Sequence, residues 1–186
     1  MAYLRFLDYV FVQNPKDFAL HKGLREARNK FLSCYFYENV DPVECFPDSV
    51  FKKYQPTITL RYLCADYYSV KALKVLRKCE PLEGVLRYEH LVPKGEFVQD
   101  ICEEAFRDGK KKMTITQIAT LLDQRWHMAV IHKEEDKLLK PRKSMPDDWL
   151  DGDRDVLARY KKNNVLRFPM LRSVEDAEQI MSICSV

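Results

Sequence analysis

Glycine is scarce, at 5 of 186 residues. So few glycines leave little material for the tight turns of an all-β sandwich or for a glycine-rich loop that cradles phosphate. The strings GxxxxGKS, GxxxxGKT, GxGxxG and GxSxG are all missing, so the nucleotide loop, the dinucleotide turn and the serine-hydrolase elbow have no sequence support. None of the six cysteines (Cys34, Cys45, Cys64, Cys79, Cys102 and Cys184) belongs to a CxxC pair. Most sit in apolar helical patterns and read as buried, reduced thiols of a cytosolic protein rather than as a disulfide framework. No apolar run approaches the length of a membrane span, and charges interrupt the opening run Met1–Asp8 too early for a signal-peptide core. The expectation is a cytoplasmic protein with no membrane partner. Charge of one sign is lacking too: 31 basic against 28 acidic residues leave +3. That mild excess permits nucleic-acid binding without demanding it.

What the chain does have is apolar and aromatic side chains, at 46% and 12% of the sequence. At 186 residues it can build one well-formed core. The expected fold is mainly α, in the α+β class: a single helical domain over 1–186 with a small antiparallel β hairpin or ribbon. A soft boundary near Pro81 separates a helical part, 1–80, from a mixed part, 81–186.

In chain order, Tyr9–Val12 is β-prone and reads as a short strand or an apolar lead-in. Asn14-Pro15 reads as a helix start. Phe18, Leu24, Phe31 and Tyr35 continue it at helical spacing, with Lys22, Arg25 and Arg28 on the other face. A second helix is predicted from Pro56 to about Cys79. Val85–Val92 and Trp126–Ile131 favour strands. Between them, Pro93–Asp108 and a helix capped by Thr114, with Gln117 three residues on, are helical. A short helix over Lys133–Leu139 follows. Another begins at Asp151 or Asp153 and carries Val156, Leu157 and Tyr160. A last one opens on a second capping box, Ser173–Asp176.

The chemistry concentrates at Leu86–Pro93. Glu89 and His90 sit side by side at the end of an apolar run, supplying a hard-cation ligand and a base that titrates near neutrality. Adjacent strand residues point to opposite faces, so both serve one site only where the strand ends or bends. The bland alternative is a half-buried histidine beside a surface acid. His132 ends the second apolar run, and Glu134-Glu135-Asp136 follow. Three acids in a first helical turn are favoured by the helix dipole alone. His132 and Asp136 are four apart and share a face on a continuous helix. His21 and His127 stand alone, and Asp147, Asp148, Asp151 and Asp153 read as capping and solvated acids.

Tyr88-Glu89-His90-Leu91-Val92-Pro93 resembles the first strand motif of HNH, or ββα-metal, nucleases. Met128–His132 and the helix after it resemble that family's second strand and helix. The resemblance covers about a quarter of the chain. It implies an endonuclease that cuts DNA with a divalent cation, Mg²⁺ or Mn²⁺. His90 would be the general base and Glu89 a metal ligand. Asp136 would be the distal ligand, with His132 or Glu135 as substitutes, and Lys110, Lys111, Lys112, Arg142 and Lys143 would hold the phosphate backbone. The connection from Pro93 to Trp126 must hold two helices where the family usually has a loop. The competing reading is a non-catalytic helical module, a regulator or interaction protein, that binds nucleic acid, another protein or a second copy of itself.

Overall fold

The computed structural model describes residues 2–17, 46–54, 62–78, 81–107, 113–139, 144–149, 155–163, 165–173 and 175–185. Its helices are α1 (Ala2–Asp8), α2 (Asp48–Tyr54), α3 (Val70–Lys78), α4 (Asp100–Arg107), α5 (Ile115–Arg125), α6 (Lys133–Leu139) and α7 (Ala177–Cys184). Its strands are β1 (Tyr67–Ser69), β2 (Leu86–His90), β3 (Met128–His132), β4 (Lys161–Lys162), β5 (Val165–Leu166) and β6 (Met170–Arg172). The α+β class is as expected, but the sheet is larger than a hairpin. Four strands form it in the order β2-β3-β1-β6, and β4-β5 make a separate ribbon. The chain divides into two compact units, residues 1–39 with 93–126, and residues 40–92 with 127–186.

In the first unit, α1 runs on into a π-helical turn at Tyr9–Gln13, where a strand or lead-in was expected. Asn14 ends this stretch instead of starting a helix. Its backbone N–H and its side-chain amide both donate to the Tyr9 carbonyl, at 3.1 and 3.0 Å. The amphipathic helix predicted beyond it, with His21, lies outside the described residues. A second π-helical turn, Gly95–Gln99, leads into α4. Leu7, Val10, Val98, Cys102, Phe106 and Leu122 are buried here. The Thr114 cap of α5 has both arms of its box. The hydroxyl accepts from Gln117 N at 3.2 Å, and the Gln117 side chain accepts from Thr114 N at 2.8 Å.

The second unit holds the sheet. β2 and β3 pair antiparallel from Leu86↔His132 to His90↔Met128. β3 also pairs parallel with β1, and β1 antiparallel with β6. β3 is interior to the sheet, and Met128–Ile131, which alternate between its two faces, are all buried. β1 falls inside the segment predicted as one helix. The Asp66 carboxylate accepts from Met128 N at 2.7 Å and Asp66 N donates to Met128 O at 3.0 Å, which ties the backbone to β3. Ser69 then caps α3 through its hydroxyl, which accepts from Ala72 N at 3.1 Å. Three extended residues are shorter than one helical repeat, so the apolar periodicity runs across them undisturbed.

The helix predicted to begin at Asp151 or Asp153 and to carry Val156, Leu157 and Tyr160 is, among the described residues, a single 3-10 turn, Ala158–Tyr160, that enters the β4-β5 ribbon. Asn163 sits in the left-handed region at φ 51°, as a two-residue hairpin turn requires. The capping box expected at Ser173 is also absent. Asp176 stands at the N-cap position of α7 without a side-chain capping bond, and its carboxylate turns back to accept from Arg172 N at 2.7 Å.

Candidate functional site

Cross-strand partners share a face of an antiparallel pair. The β2-β3 register therefore puts Arg87 and Glu89 on one face with Ile131 and Ala129. Leu86, Tyr88 and His90 lie on the other with His132, Val130 and Met128. Glu89 and His90 point away from each other, because the strand continues regularly through both residues. His90 and His132 share a face but stand at opposite ends of the ribbon, about 13 Å apart along the strands.

The two acids of the predicted site meet arginines. Glu89 Oε1 lies 3.4 Å from Arg159 Nη2, and the same guanidinium donates through Nη1 to the His90 carbonyl at 3.2 Å. Asp136 Oδ2 lies 3.9 Å from Arg87 Nε. Tyr160, fully buried, stands near both acids. Burial first, then the Glu89 charge, pushes its phenol well above the usual range. Its hydroxyl has no hydrogen-bond partner among the described residues.

His132 and Glu135 do a different job. Glu135 Oε2 accepts from His132 N at 2.9 Å and from the buried Ser69 hydroxyl at 2.6 Å. His132 Nδ1 accepts from Glu134 N at 3.3 Å. This is a capping box on α6 with histidine in the serine position. The Ser69 bond links it to the cap of α3, so the carboxyl ends of parallel β1 and β3 are tied together. Glu134 in turn pairs with Lys71 at 2.5 Å. The Lys71 hydrogen bond and charge hold its carboxyl below the usual range.

The expected metal centre is therefore not assembled. His90 faces away from Glu89, the two acids are engaged by Arg159 and Arg87, and His132 caps a helix. No three side chains of His, Cys, Asp or Glu among the described residues are grouped to hold an ion. The donor set does not fit a divalent cation in this arrangement. The expected phosphate contacts Lys110, Lys111, Lys112, Arg142 and Lys143 lie outside the described residues, as do Asp151 and Asp153.

Burial first, then Lys71, lowers the His132 pKa below its ordinary value. The unfolded chain thus binds the proton more readily than the folded one. Stability is present above the ordinary histidine pKa and is lost as pH falls from there through the folded value. Urea midpoints measured from pH 7.5 down to 5 are expected to drop in wild type. In His132→Asn, whose amide oxygen can keep the cap, they are expected to drop less.

Sequence reading missed Arg87 and Arg159, the counter-charges of the acids, and it missed the outer face of α3. α3 carries Lys71, Lys74, Arg77 and Lys78, all exposed, and no acid. The signal was present in Val70–Lys78, where four cations sit within nine residues. No family model, no curated protein and no solved structure matches the chain.

Proposed function

We propose that this chain is a non-catalytic nucleic-acid-binding module. The observation that carries the reading is the all-cationic exposed face of α3. The acids that would have served a metal are meanwhile engaged by the chain's own arginines. The net charge of +3 agrees in sign with a polyanionic partner. Plasmid DNA incubated with the protein and Mn²⁺ is expected to be retarded in a gel and to remain uncut. Failure to retard it at low salt would sink the reading.

A second reading, the metal-dependent endonuclease, has one observation in its favour. β2 and β3 pair antiparallel, and α6 follows β3 directly and packs against both strands, giving the β-β-α order. It requires Arg159 and Arg87 to release Glu89 and Asp136, and His90 to come round to their side. Nicking that needs Mn²⁺ and disappears in His90→Ala would favour it over the first reading.

A further inference from the structure

We propose that the outer face of α3 is the nucleic-acid contact, and that it seats on the phosphate backbone of a duplex without reading bases. The inference rests on the nucleic-acid reading above and gives it a place and a mode.

At 100° per residue, Lys71, Lys74, Arg77 and Lys78 fall within an arc of about 120°. Ala72, Leu73 and Leu76 are buried and fall on the opposite side, in an arc of about 100°. The apolar arc is occupied: α7 packs against α3, and the Cys184 thiol lies 3.9 Å from the Leu73 carbonyl. The basic arc therefore faces solvent because the opposite arc is fixed in the core. Lys71 shares its charge with Glu134. No ion pair among the described residues engages Lys74 or Arg77. From Lys71 to Lys78 the face is about 10 Å long. A duplex offers one phosphate charge for every ~1.7 Å of its axis, so a face of this length meets several. Lysine and arginine hold phosphate oxygens, and the face carries no amide or acid to read an adenine or cytosine edge. Single-strand binders stack bases on aromatic rings, and α3 has none. The charge selects a polyanion, and the missing aromatics select the duplex.

The test is fluorescence anisotropy with a labelled duplex and with its single strand, from 50 to 300 mM salt. The double variant Lys74→Gln/Arg77→Gln is compared with wild type. Lys137→Gln/Lys162→Gln removes two exposed cations elsewhere. The changed residues are all exposed, and circular dichroism checks that each variant is folded. The α3 variant is expected to bind on the order of 10- to 100-fold more weakly at 50 mM salt. Its log affinity against log salt should be shallower by about 1.8, at ~0.9 per lost phosphate contact. The control variant should keep most of the wild-type affinity. If wild type binds and the α3 variant keeps its affinity and slope, the location is wrong and the nucleic-acid reading stands. If wild type binds neither strand form at 50 mM, both fall. Tighter binding to the single strand than to the duplex overturns the mode.

Discussion

Replacing Arg159 with methionine is expected to destabilise the second unit by about 2–3 kcal/mol, measured by urea denaturation. Methionine keeps the apolar stem and removes the guanidinium, so the loss reports the polar contacts. Arg159 is buried and donates to two acceptors, the His90 carbonyl and the Glu89 carboxylate. Breaking a fully buried ion pair by deleting one partner costs roughly 3–5 kcal/mol, chiefly because the other charge is stranded. Glu89 retains 34% of its side-chain exposure, so water takes up part of that burden and the estimate is reduced. The pairing gives a second readout. In a Glu89→Gln background the same arginine substitution should cost about 1 kcal/mol less, because no charge is left behind. Additive losses would mean that the guanidinium serves the His90 carbonyl alone. Tyr160→Phe is the control: a phenol hydroxyl with no hydrogen-bond partner among the described residues contributes little, so its removal should change stability by less than about 1 kcal/mol.

Glu135→Ala is expected to cost about 2–4 kcal/mol. One oxygen of this buried carboxylate accepts from the Ser69 hydroxyl and the His132 amide. Hydrogen bonds to a charged group contribute ~1.5–3 kcal/mol each, and the substitution removes two together. It also leaves the Ser69 hydroxyl, which is fully buried, with only its cap contact to Ala72 N among the described residues. Glu135→Gln keeps one acceptor oxygen and should recover roughly half of the loss. Ser69→Ala alone removes a helix cap, at about 1 kcal/mol, together with the link to Glu135. The Ser69 and Glu135 substitutions should therefore be less than additive. Full additivity would show that the two helix caps are independent.

These residues also mark how far the sequence could be read. β2, β3, α5 and α6 are all legible, because each rests on local signals: β-prone runs, a Thr114–Gln117 box, and acids in a first turn. β1 was not legible. Its extended state is imposed by Asp66 and β3, a contact across 62 residues, while the local periodicity favours helix. The Glu89-His90 pair was correctly placed on a strand, but its chemistry depends on partners far along the chain. Arg159 lies 70 residues from Glu89, and nothing in the local pattern of either residue identifies the other. Asp136 shows the same gap, since its partner Arg87 is fixed by sheet register and helix packing. His132 and Glu135 were read as possible chemistry and serve as caps, because a strand running straight into a helix leaves donors to satisfy at the junction. Lys74 and Arg77 were within reach of local reading. Their run was absorbed into a longer predicted helix, whose basic face was not separated from its apolar one.

The most direct measurement is the affinity of the wild-type protein for a duplex oligonucleotide, taken once in EDTA and once in Mn²⁺ at matched ionic strength. Binding that rests on lysine and arginine contacts to phosphate needs no metal. The account predicts binding in EDTA at least as tight as in Mn²⁺, which competes for the phosphates, and an intact duplex at the end of both titrations. Binding that requires Mn²⁺, or a duplex cut in its presence, would contradict it.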